Sequence, residues 1–255
     1  MDGYVQVRLR ANAVLDEPFR TRRMKKQNLS AVDAVPSMGL SAALRERTQI
    51  QHTRAERSGI VNAILRRQAT RFGYTLFLRN LGPVYQELEG GLEGYRDDPV
   101  VRLIALPQVY RASTLVSDIA ALGGNAFPML SAGQRYVEAV RAAADGRNAR
   151  LIAHAYVRYL GDLSGGRVMK RLLAQSLALK AKELSFYDFR DVGDLEEFKI
   201  DYRRAIDAAG TGIEDVEAVL DEAVLAFELN VALSQEVLNA ANAQLPVGQH
   251  PEAAE

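Results

Sequence analysis

Between residues 40 and 242 apolar side chains recur every three or four positions, and no stretch sustains an alternation of apolar and polar residues. A spacing near 3.6 puts one apolar stripe on a helix, whereas a half-buried strand needs a spacing of two. The chain is therefore read as all-α, a single multi-helix domain without internal repeats. Ser41 can cap a helix that begins at Ala42 and carries Leu44, Thr48, His52 and Ala55 along one stripe. A long helix is predicted near residues 60–89 with a kink at Gly82-Pro83; Gly90, Gly91 and Gly94 then open a loop that Asp97-Asp98-Pro99 closes. Further helices fit residues 99–105, 108–121, 131–144, 148–180, 194–208 and 213–242, separated by Gly123-Gly124, Pro128, Gly146 and Gly210.

The two ends read differently. Residues 1–30 carry seven basic side chains (Arg8, Arg10, Arg20, Arg22, Arg23, Lys25, Lys26) against three acidic ones, and Pro18 and Pro36 interrupt the pattern. Residues 1–37 are expected to form a mobile basic extension, residues 38–242 the folded domain and residues 243–255 a loose tail. The cluster Arg20–Lys26 could meet an acidic partner or be a solvated charge run.

Composition removes whole classes of chemistry. The chain has no cysteine, which excludes disulfides, thiolate zinc sites, Fe–S clusters and cysteine nucleophiles. Zinc held by histidine is hard to build from His52, His154 and His250. The balance of 32 Lys+Arg against 32 Asp+Glu argues against a general nucleic-acid binder. No apolar run approaches a membrane span, and the amino terminus lacks the pattern of a signal peptide, so a cytoplasmic location is expected.

Two features ask for an explanation within this helical frame. Gly161-Asp162-Leu163-Ser164-Gly165-Gly166 sits inside an otherwise helical pattern. Each glycine there costs about 1 kcal/mol relative to alanine. Gly161 and Gly165 share a face, so either another helix packs tightly on them or something flat approaches the backbone. Asp162 beside a dry helix contact would need a partner, while beside a ligand it can anchor water. The second feature is His52 with Glu56 one turn on, the pairing that orients a metal-bound imidazole; a histidine packed in the core is the alternative. One histidine cannot hold bare iron tightly, but it can serve a haem, whose ring supplies four further nitrogens. Lys199 and Arg203, like charges four apart, would gain from an anionic ligand, although Asp201 or solvent could relieve them equally. Arg45 lies seven residues before His52 on nearly the same face.

At these residues the sequence resembles the haem oxygenases of the biliverdin-forming, all-helical class, from about Gly39 to about Val237. Leu40-Ser-x-x-Leu44 with His52-Thr53-x-Ala55-Glu56 is similar to the proximal helix of that family, and His154-Ala-Tyr156-x-Arg158-Tyr159-Leu160-Gly161-Asp162-Leu163-Ser164-Gly165-Gly166 to its distal helix. Phe198-Lys199-x-x-Tyr202-Arg203 and Ala226-Phe227-x-Leu229-Asn230 match later segments. The resemblance implies a bundle with haem between a proximal and a kinked distal helix.

It further implies that His52 is the axial ligand of the haem iron, Glu56 its hydrogen-bonding partner, and Gly161, Gly165 and Gly166 the distal wall. Asp162 would hold a catalytic water, supported by Arg158, Tyr85 and Asn230. Arg45, Tyr156, Lys199 and Arg203 would meet the haem propionates, with Arg45 standing where the family commonly has lysine. Around Tyr85 the match is thinner, because Gly82-Pro83 replaces bulkier residues. His154 would be structural. The implied reaction uses haem b as substrate and cofactor, with O2 and electrons from a separate ferredoxin or reductase, and yields biliverdin IXα, carbon monoxide and Fe2+. A haem carrier or sensor on the same fold, binding without turnover, is the alternative.

Overall fold

The computed structural model of the protein describes residues 38–146 and 148–244. The basic extension expected over residues 1–37, with its Arg20–Lys26 cluster, and the tail beyond Gln244, with His250, lie outside the described residues. Among the described residues there is no strand. The first four helices are α1 (Leu40–Arg47), α2 (Gln49–Glu56), α3 (Gly59–Leu65) and α4 (Arg71–Gly94). They are followed by α5 (Ala112–Ala121), α6 (Ser131–Ala144), α7 (Leu151–Ala155), α8 (Gly161–Ser176), α9 (Leu195–Gly210) and α10 (Val216–Ala243).

Several boundaries differ from the expectation, each for a local reason. Ser41 does not cap α1; its N–H donates to Asp207 Oδ1 of α9 at 2.7 Å, and the helix starts from Gly39. The predicted helix over 60–89 is two helices, because Arg67 takes φ 60° between α3 and α4. Helix α4 then runs unbroken through Gly82-Pro83 and takes in Gly90, Gly91 and Gly94, where a loop was expected. Packing overrides the weak local preference: Leu78, Leu81, Val84, Tyr85, Leu88 and Leu92 are all fully buried, and Leu151 lies 3.2 Å from where a Cβ on Gly91 would stand. The helix expected over 99–105 shrinks to the 3₁₀ turn Val101–Leu103, and the one over 108–121 to the turn Pro107–Val109 followed by α5. Glu89 of α4 fixes that start by accepting the N–H groups of Arg111 and Ala112, at 2.5 and 3.0 Å. The segment over 148–180 opens with the 3₁₀ turn Asn148–Arg150; between α7 and α8 it widens into a π-helical turn, Tyr156–Leu160, and it ends at Ser176.

Helix α10 is the long central member. It packs against α2, α3, α4, α6 and α7, while α4 also carries α5 and α6, and α1 lies against α9. Gly59 lets α2 and α3 close onto α10. Its φ is 53°, and a Cβ there would stand 2.2 Å from the Ser234 carbonyl, so only glycine fits the turn. The same turn is tied by the Ser234 hydroxyl, which donates to the Ser58 carbonyl at 3.0 Å and accepts from the Val61 N–H at 3.2 Å.

Candidate active site between two helices

Helix α2 leaves His52 at the surface rather than in the core. Leu44, Thr48 and Ala55 of the predicted stripe are buried, whereas the His52 side chain is 56% exposed. This removes the core reading of His52. Its ring meets Phe227 of α10 edge-on, with centroids 5.8 Å apart. Glu56 Oε1 stands 3.8 Å from His52 Nδ1, within reach of an ion pair and too long for a direct hydrogen bond.

Helix α8 supplies the facing wall. Nothing lies within 4 Å of a Cβ built on Gly161 or Gly165, so neither glycine serves a helix contact. Gly166, by contrast, packs on Tyr187, 3.3 Å from its would-be Cβ. Helices α2 and α8 hardly touch each other, although α2 rests on α10 and α3 on α8. Helix α10 brings the two sides together. Phe227 contacts His52, and Asn230, three residues on and so about 4.5 Å along the axis, is bonded to Arg158 beside α8.

Around Asp162 a buried polar network forms. Arg158 donates from Nε to the Tyr85 hydroxyl at 2.9 Å, from one terminal nitrogen to Asn230 Oδ1 at 2.9 Å, and from the other toward Asp162 Oδ1 at 3.4 Å. The Tyr85 hydroxyl donates to the other Asp162 oxygen. Burial raises the Asp162 carboxyl above its usual range, and Arg158, the Tyr85 hydrogen bond and Arg111 pull it partly back. Burial likewise pushes the Tyr85 phenol well up. For Arg158 burial opposes the charge, yet the neighbouring Tyr85 and Asp162 raise the guanidinium further still. A carboxyl held near a phenol and a fixed cation can keep or pass a proton at a defined place.

Two members of this neighbourhood escaped the sequence reading. Arg111, buried, acts on Asp162 through charge, and Tyr136 of α6, also buried, has Arg158 and Asp162 as its nearest charges. Tyr136 is legible only as one position on the apolar stripe of α6, and Arg111 stands at the cap of α5, outside any periodic stretch.

The cations expected at one edge come from two elements, Arg45 from α1 and Lys199 with Arg203 from α9. Burial raises the Tyr156 phenol, while the Thr48 hydroxyl, Arg203 and Arg45 lower it. Arg203 donates to the Lys199 carbonyl at 3.3 Å and Lys199 Nζ to Glu196 at 2.7 Å. Asp201 pairs with Arg204 at 2.9 Å, not with Lys199 or Arg203. His154 lies apart, fully buried, with Nε2 2.9 Å from Glu222 of α10. Among the described residues no three His, Asp or Glu side chains gather as a metal cage. Taken together, an imidazole, an uncovered glycine wall, a proton-holding network and an edge of cations suit a flat anionic ligand.

Comparison with known proteins gives the same direction. The family model described as Heme oxygenase matches residues 38–236. Heme oxygenase 1 of Synechocystis sp. is 33% identical over 205 residues, 79% of this chain and 85% of that protein. The crystal structure of the Synechocystis heme oxygenase-1 in complex with heme superposes with a TM-score of 0.75 at 31% identity, over 81% of this chain and 95% of that one. The heme oxygenase structure from Leptospira interrogans gives 0.74 at 33% identity, over 78% of this chain and all (100%) of that one. With the family model covering α1 through most of α10, the chain belongs to the haem oxygenase family.

Proposed function

We propose that the protein binds haem b between α2 and α8 and cleaves it to biliverdin IXα, carbon monoxide and Fe2+, using O2 and electrons from a separate ferredoxin or reductase in the cytoplasm. Among the described residues, no helix is long and apolar enough to cross a membrane. The observation that carries the reading is the pair Gly161 and Gly165, both uncovered, together with a half-exposed imidazole on α2. A side chain at either glycine would fill the space a porphyrin face needs, so the residues fit the group.

Bound there, haem supplies both the redox iron and the ring carbon that is oxidised. His52 would hold the iron, with Glu56 biasing the imidazole through charge. The glycine wall leaves room close to the ring and so limits the directions open to O2. The Tyr85 hydroxyl holds its proton against the Asp162 carboxylate, and Arg158, itself held by Asn230, keeps that carboxylate in place. Arg45, Tyr156, Lys199 and Arg203 bind the propionates and orient the ring. A protein that only stores haem has no need of the buried Arg158–Asp162–Tyr85 set.

Titration of the protein with hemin, followed by ascorbate in air, tests this directly. A one-to-one complex whose Soret band decays as biliverdin absorbance grows is expected. A complex that survives the reductant, or no complex, would overturn the reading.

A further inference from the structure

On the back of α8 lies a cavity of about 530 Å³. At about 100° per residue, Leu163, Arg167, Lys170, Arg171 and Ala174 share one stripe of α8, roughly opposite the stripe of Gly161 and Gly165. The cavity is therefore on the other side of α8 from the open face of Gly161 and Gly165, touching the network only at Asp162.

Its facing wall, from Tyr187 to Leu195, is held in place. Lys170 and Arg190 both pair with Asp188. Arg111 donates to the Asp188 carbonyl at 2.6 Å and lies over the Phe189 ring, 4.2 Å from its centroid. Gly193, at φ 68° and ψ −129°, then turns the chain back toward Leu195 in a conformation that suits glycine. The floor is apolar and aromatic, from Leu163, Ala174, Tyr187, Phe189 and Leu195.

The charge lining is one-sided. Of the two carboxylates, Asp188 is matched by Lys170 and Arg190, and Asp162 by Arg158. Arg167 and Arg171 are exposed and pair with no carboxylate of the described residues. Like charges four apart on a helix repel mildly, and an anion between them reverses the sign. An apolar floor under unpaired guanidinium groups selects a ligand with both parts.

We propose that this cavity binds an amphipathic organic anion, an aromatic or apolar body bearing a carboxylate, sulfonate or phosphate. The site lies behind α8 and goes beyond the haem reaction. The test is calorimetric titration of the haem-loaded protein with 1-anilinonaphthalene-8-sulfonate, the haem occupying the other site. One probe per chain is expected, with affinity lowered at least tenfold in Arg167→Glu/Arg171→Glu and in the milder Arg167→Gln/Arg171→Gln. The pair Arg167→Lys/Arg171→Lys should retain most of it. Unchanged helical circular dichroism and an unchanged Soret band would confirm that the variants fold and load haem. Absence of saturable binding, or equal affinity in parent and charge-reversed protein, overturns the proposal. Should the parent take up no haem, the haem reading fails alone, and the same variant comparison on the haem-free protein still decides the cavity.

Discussion

Asp162 is buried and bonded to two other polar groups, Tyr85 and Arg158, so its replacement separates chemistry from binding. Asp162→Asn keeps the size and one acceptor, and leaves His52 and the cationic edge untouched. Hemin affinity should stay within a few-fold, while biliverdin formation falls by about 10²-fold or more, the usual loss when a positioned proton donor goes. Single-turnover absorbance with ascorbate checks this. Glu89 gives a second residue-level expectation. Burial raises its carboxyl to about 7, against the two N–H groups of α5 that stabilise the anion. A folded value above the unfolded one means that the native state binds more protons between pH 4.5 and 7. Stability should therefore fall as pH rises through that window, by at most about 1.4 kcal/mol per unit. Urea titrations at pH 5.5 and 7.5 should show a smaller difference in Glu89→Gln than in the parent. At this scale the sequence was most legible where side chains belong to one contiguous motif, as for Asp162 and Arg158. Arg111 and Tyr136 reach the network from other parts of the chain, and nothing in their neighbours marks them.

Two glycines in the same fold should respond in opposite senses, because their elements use them differently. Gly59→Ala forces a Cβ into the Ser234 backbone at a positive φ, and should destabilise the apoprotein by about 2 kcal/mol or more. Gly161→Ala meets nothing within 4 Å and restores a helix former, so it should stabilise the apoprotein by about 1 kcal/mol. The same substitution should weaken hemin binding, since the methyl enters the groove. Thermal melts of the apoproteins beside hemin titrations would show both signs. Element types and the span of α6 were readable from periodicity, as was a single long helix near α10. The start of α1 was not, because the carboxylate of a distant residue, Asp207, holds it. Nor was the continuation of α4 through Gly90, Gly91 and Gly94, which depends on packing from α6, α7 and α10.

For the molecule as a whole, the proposed propionate contacts draw on three elements: Arg45 on α1, Tyr156 before α8, and Lys199 with Arg203 on α9. Removing two of those cations, as Lys199→Ala/Arg203→Ala, should lower hemin affinity modestly and let the ring rotate. Chromatography of the product should then show mixed biliverdin isomers, where the parent gives one; a single unchanged isomer would argue against this edge as the orienting contact. The all-α class was legible from the 3.6 spacing, whereas only the family resemblance, and not the spacing, implied that these elements meet, since spacing along a chain carries no information on which helices meet. The widened turn over Tyr156–Leu160 has a consequence of this kind. It amounts to one residue inserted into a helix, a change of phase for everything after it. Closing the turn to regular pitch with no residue removed would give a better helix and yet carry every residue of α8 forward by a single position. Gly161 would then stand where Asp162 stands now, and the buried network would have lost its carboxylate.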